Sequence, residues 1–77
     1  MDQEFSLSYE QLTNFAEAHI RKCKLDSHGM VYICESAKAS AILSLWYELA
    51  INGYTSQDAF IEADYQRLKN LIMSDKQ

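Results

Sequence analysis

The histidines and cysteines of the chain lie within one short stretch of the sequence. They number two of each type, which is the ligand inventory of a tetrahedral zinc site, and they are His19, Cys23, His28 and Cys34. His19 and Cys23 would lie one turn apart on a helix and could chelate a metal. The chain lacks the C-x2-C pair of common zinc sites, and both residues also continue an apolar helical stripe. We therefore predict no metal and no cofactor, with the zinc set as the alternative.

The sequence indicates no catalytic machinery. A nucleophilic site needs a nucleophile, a base and a third group that orients the base, and the cysteines and histidines are not accompanied by such a group. No phosphate-binding glycine loop is present, since the chain holds only Gly29 and Gly53. We predict that the protein is not an enzyme.

Asp64 is the most informative single acid. It falls inside the apolar arc of a predicted helix, between Phe60 and Leu68, where an ionised carboxylate needs a partner. One interpretation is a position at the edge of the core, hydrogen-bonded to a tyrosine hydroxyl or to His19. The other is an acid that faces a basic partner protein.

Tyrosines are numerous for a chain of this length, and some of them lie near acids in the sequence. Tyrosine beside carboxylates is typical of protein-binding surfaces, because the ring supplies area and the hydroxyl supplies a hydrogen bond. The predicted partner-binding residues are Tyr54, Asp58, Glu62, Asp64 and Tyr65.

Three helices must position these residues. Ser8 and Gln11 have the spacing of a capping box, and apolar residues recur at helical spacing after them, so the first helix is predicted over about residues 9–24. The third helix, over about residues 56–73, begins after a capping Thr55 or Ser56. The second helix is predicted over about residues 36–52, and Asn52 and Gly53 are expected to end it with Gly53 in the left-handed conformation. The fold class is all-α, as a compact three-helix unit in a single small domain of residues 1–77.

The segment 30–34 is ambiguous. Extending the helical phase of Trp46 backwards places Glu35 in the apolar arc, so the pattern predicts that the segment and the second helix are not one continuous amphipathic helix. Its β-branched and aromatic residues favour a short extended segment, whereas a lone strand is unstable and a helical turn is the alternative.

The second helix carries more apolar surface than one neighbour can cover. Its apolar arc is roughly 200° wide, about twice what one contact needs, so other helices or a second chain must cover it. A short chain also buries too little surface to be very stable alone. These points predict a homodimer, with Leu43, Trp46, Tyr47 and Ala50 in the core or the dimer contact.

Charge and hydropathy restrict the partners. The net charge of −4 disfavours nucleic acid and favours a basic protein. No apolar run is long enough to span a membrane, and the N-terminus is acidic, so we predict a cytoplasmic protein. In that compartment Cys23 and Cys34 would stay reduced and would not form a disulfide. We expect a small acidic protein-interaction module that regulates or inhibits a partner protein. The alternative is a small DNA-binding regulator, because the second helix, the turn at Gly53 and the third helix resemble a helix-turn-helix.

Overall fold

The computed structural model describes residues 6–73, which form three α-helices in succession. α1 is Tyr9–Arg21, α2 is Gly29–Gly53 and α3 is Asp58–Met73, and a short 3-10 helix, Thr55–Gln57, precedes α3. Strands are absent from this part of the chain. The prediction of an all-α three-helix unit is confirmed.

The start of α1 follows the predicted capping box. The Ser8 hydroxyl accepts from the Gln11 N–H at 3.0 Å, and the Gln11 side chain accepts from the Ser8 N–H at 3.0 Å. The helix ends at Arg21, earlier than the predicted residue 24. Its last turn tightens, with the Cys23 N–H donating to the Ile20 carbonyl, because the chain must reverse before α2 can pack on α1.

The segment 30–34 is helical, and α2 runs through it without a break. The predicted interruption near Glu35 was wrong, and so was the extended segment that the composition favoured, whereas the alternative of a helical conformation is confirmed. Glu35 does lie on the inner side of α2, but its carboxylate accepts a hydrogen bond from the Lys24 N–H at 2.8 Å and pairs with Lys38 at 2.9 Å. The acid is therefore satisfied by the α1–α2 connection, and the helix continues past it.

The two glycines mark the ends of α2, but Gly53 does not have the left-handed conformation that was predicted for it. Gly29 is the residue with positive φ, at 65°, whereas Gly53 is not left-handed. α2 ends at Gly53, and the next residue, Tyr54, is its C-cap, whose N–H donates to the Ala50 carbonyl at 2.9 Å. Gly53 is consequently an ordinary last helical residue.

The core lies between α2 and its two neighbours. α2 contributes a stripe with alternating spacings of three and four residues, which is the pattern of a helix packed along its length. At the centre Trp46 is 1% exposed, and its indole N–H donates to the buried Thr13 hydroxyl at 3.0 Å. The buried apolar residues are Ala16, Ile20, Ala39, Leu43, Trp46, Ala50, Ile61, Leu68 and Ile72.

Among residues 6–73, none of the helices combines the length and the apolar character that crossing a lipid bilayer requires.

Candidate protein-interaction surface

The structure does not bring the zinc set together. Within residues 6–73, no three histidine, cysteine, aspartate or glutamate side chains are placed to hold a metal ion. Cys23 is partly buried, and its thiol donates to the His19 carbonyl at 3.6 Å, whereas Cys34 is exposed. Both cysteines are free thiols. The His19–Cys23 spacing therefore allows a hydrogen bond that closes the C-terminal end of α1, and the alternative of zinc binding by the four residues has no geometric support.

The predicted dimer or core set lies mainly inside this one chain. Leu43, Trp46 and Ala50 are buried between α2 and its neighbours. Tyr47 is partly buried, and its ring lies 5.1 Å from that of Tyr65 and 6.3 Å from that of Trp46, measured between centroids. α1 and α3 thus cover most of the apolar arc of α2.

Two of the predicted partner-binding residues are engaged within the chain. The Tyr54 hydroxyl donates to the Leu7 carbonyl, and the Tyr54 ring meets that of Tyr9 edge-on at 5.8 Å. Asp64 accepts a hydrogen bond from the Tyr9 hydroxyl at 2.6 Å. This agrees with the first interpretation of Asp64, in which the acid lies at the edge of the core and is hydrogen-bonded to a tyrosine. These two residues therefore hold α1 in place.

Arg67 completes a polar connection between α1 and α3. It contacts Glu17 at 2.6 Å and Asp64 at 3.3 Å, and the guanidinium holds the pKa of Glu17 below its usual range. Burial and the hydrogen bond to Asp64 raise the pKa of Tyr9 to about 12. This connection fixes α1 and α3 relative to each other, so that the surface between them and α2 is preorganised.

Of the other predicted partner-binding residues, Asp58 and Glu62 are exposed and Tyr65 is half-buried. Asp58 is exposed at the start of α3. Glu62 and Tyr65 line a groove of about 690 Å³ between α2 and α3, and its remaining walls come from α2: Ser44, Leu45, Tyr47 and Glu48. We call this the acidic groove, because Glu48 and Glu62 are its charged residues.

An apolar strip borders the acidic groove. Phe15 of α1 is 58% exposed, and Leu45 and Leu49 of α2 are 62% and 46% exposed. These three residues form the apolar strip. They line a groove of about 280 Å³ between α1 and α2, which Leu12 and Ile42 also line. Leu45 belongs to both grooves, so the strip and the acidic groove are one continuous surface.

Sequence reasoning missed Phe15, Glu48 and the exposure of the two leucines. The signal was present for Leu45 and Leu49, since both lie at one edge of the wide apolar arc. Phe15 continued the stripe of α1 and was indistinguishable from a core residue, because periodicity identifies a face but not what covers it.

A second exposed apolar region lies at the beginning of α2. Buried positions on this helix start at Ala39, whereas Met30, Val31 and Ile33 are mostly exposed. We call these three residues the apolar end of α2. α2 has 25 residues and α1 has 13, so α2 is about 37 Å long and α1 is about 20 Å long.

Comparisons with protein-family models, curated proteins and solved structures find no match to this chain.

Proposed function

We propose that the protein is a non-enzymatic interaction module that regulates or inhibits a partner protein in the cytoplasm. The observation that carries this proposal is the apolar strip, in which three large side chains remain about half exposed or more after the core has formed. Contiguous apolar patches with polar rims are typical of protein-binding sites on small soluble proteins.

The surroundings of the strip support the same function. Tyr47 and Tyr65 stand in the adjoining acidic groove, and tyrosine is enriched among residues that dominate binding energy. The strip also lies on two packed helices, so binding requires little ordering of the chain, and less free energy is lost on association.

We also propose self-association, through the apolar end of α2. Met30 is 72% exposed, and Val31 and Ile33 are 55% and 58% exposed, on helical turns that precede the buried stripe. A second copy packed on this end would cover apolar area without bringing the acidic grooves together.

DNA binding is the less supported alternative. α2, the turn and α3 have the order of a helix-turn-helix, but the first turns of α3 expose Asp58 and Glu62, which would repel phosphates. DNA affinity that falls steeply with salt would favour this alternative.

The test of the proposed function is a comparison of retained partners. The immobilised wild type, the Phe15→Ser/Leu45→Ser variant and an Ile51→Ser control would be exposed to host lysate, and the bound proteins identified by mass spectrometry. Ile51 is 39% exposed outside the strip. We expect the double variant to lose specific partners that the control retains. Identical sets of retained proteins would contradict the proposal.

Self-association has its own test. Sedimentation equilibrium of the wild type should give a dimer that dissociates on dilution, and Met30→Ser/Ile33→Ser should be monomeric at the same concentrations. A wild type that is monomeric throughout would rule out the dimer, whereas the docking proposal would stand.

A further inference from the structure

We propose that the apolar strip binds a basic amphipathic helix of a partner protein, with lysine or arginine side chains on the flank of that helix directed at Glu48 and Glu62. This inference rests on the proposed function and specifies the chemistry of the partner.

The strip has the dimensions of a helix-docking site. Leu45 and Leu49 are one turn apart on α2, so their side chains are about 6 Å apart, and Phe15 faces them across the groove between α1 and α2. A partner helix whose apolar residues recur every three or four positions can place these side chains, one turn after another, between Phe15 and the two leucines. A standard interface needs about 800 Å² from each partner, more than three partly exposed side chains provide, so the polar flank must contribute as well.

The charges beside the strip determine which sign of charge the partner should carry. Within residues 6–73, neither Glu48 nor Glu62 forms an ion pair, whereas three other acids on the helices do: Glu17, Glu35 and Asp64. Binding of an acidic or uncharged segment would leave both carboxylates to be desolvated without a counter-charge. A cationic flank would supply that charge.

The tyrosines of the acidic groove favour the same ligand. Lys69 lies 5.9 Å from the centroid of the Tyr65 ring and already occupies one face of it, and Tyr47 is the other aromatic residue that lines the groove, together with Glu48. A guanidinium or ammonium group in the groove can therefore contact an aromatic face and a carboxylate at once.

A second copy of the chain is a poorer occupant of the strip. In a two-fold symmetric contact each residue set meets its own copy, so Glu48 and Glu62 of one protomer would approach those of the other. Each protomer also carries a net charge of −4. Electrostatic repulsion would then oppose the apolar contact, whereas a cationic helix would be attracted.

Three matched peptides test the inference. Each would be a helix of about 18 residues, roughly five turns, with one shared leucine stripe and with lysine and arginine, glutamine or glutamate on its flanks. Binding to the full chain would be measured by calorimetry at low and high salt, and located by backbone amide NMR shifts. We expect the cationic peptide to bind about tenfold more tightly than the glutamine peptide at low salt, with shifts centred on Leu45.

A pair of charge-matched variants separates local from overall electrostatics. Glu48→Gln/Glu62→Gln should abolish the tenfold preference, whereas Glu10→Gln/Asp26→Asn removes the same charge from exposed acids that do not line the acidic groove and should retain most of it. Equal loss in both variants would overturn the inference.

The remaining outcomes distinguish this inference from the proposed function. Equal binding of all three peptides at the strip would overturn the charge preference and leave the docking function intact. Failure of all three peptides to bind at about 1 mM would also overturn the inference. So would a wild-type dimer that the Leu45→Ser substitution dissociates, because a second copy of the chain would then occupy the strip. In each of these cases the partner comparison with the Phe15→Ser/Leu45→Ser variant still decides the proposed function.

Discussion

The hydroxyl of Tyr9 donates a hydrogen bond of 2.6 Å to a carboxylate oxygen of Asp64, and this contact joins the first turn of α1 to the middle of α3. The contact explains why α3 can carry a charged residue at the edge of the core. Because the acceptor is ionised, the hydrogen bond is stronger than one between neutral groups.

Tyr9→Phe should reduce the stability of the fold and change how the stability depends on pH in the alkaline range. The pKa of Tyr9 is raised from 10.0 to about 12, so the unfolded state loses the phenolic proton before the folded state does. The contribution of Tyr9 is then fully present below pH 10 and is lost as the pH rises through 12. We expect the variant to lose about 1 kcal/mol at pH 7 and to decline less steeply than the wild type above pH 10. Urea unfolding at several pH values measures both effects, and parallel alkaline limbs would contradict the assignment.

Thr13→Val should destabilise the core although the two side chains are nearly equal in volume. The valine would leave the buried indole N–H of Trp46 without its acceptor, at a cost of about 1 to 3 kcal/mol. Thr13→Ser keeps the hydroxyl and is the matched control. The single tryptophan makes fluorescence-detected urea unfolding the direct measurement. An equal loss in both variants would mean that the methyl group of Thr13, rather than its hydroxyl, matters.

Glu17→Gln should weaken the connection between α1 and α3. Hydrogen bonds from Arg67 and Arg21 lower the pKa of Glu17 below its ordinary value of 4.5, so its contribution is present above pH 4.5 and is lost as the pH falls through the lower folded value. Since the Arg67 side chain is 45% exposed, we expect a loss of only about 0.5 kcal/mol, reduced by salt. Thermal unfolding at pH 7 and pH 3 should show a smaller difference between variant and wild type at the lower pH.

The two glycines should respond in opposite directions to alanine. An added Cβ meets no atom within 4 Å at either position, so backbone conformation decides the result. Gly29→Ala should destabilise the protein by about 1 kcal/mol, because φ is +65° there. Gly53→Ala should stabilise it by about 0.5 kcal/mol, since Gly53 is helical and alanine restricts the unfolded chain. Denaturant midpoints of the two variants on opposite sides of the wild type would confirm both expectations.

The sequence predicted the number and type of the elements because each has a strong local signal. The capping box at Ser8, the glycines and the helical periodicity are properties of neighbouring residues. The continuity of α2 through Glu35 was not predictable in this way, because the partner of that carboxylate is the N–H of Lys24 in a connection whose path depends on tertiary packing.

The surface was harder to derive than the fold. The width of the apolar arc on α2 showed that some of it needed additional cover, but which residues α1 and α3 leave exposed depends on where those helices lie. Leu45 and Trp46 are adjacent in sequence and similar in apolar character, yet one is 62% exposed and the other 1%. A rotation of 100° per residue separates the two environments.

The central position of α2 also affects how quickly the molecule can form. Short connections, residues 22–28 and 54–57, join α2 to both of its neighbours, so most stabilising contacts arise between segments that are close along the chain. Such topologies fold within microseconds to milliseconds. A newly synthesised chain would therefore expose its apolar stripes to misassembly only briefly, and it would need little assistance from chaperones.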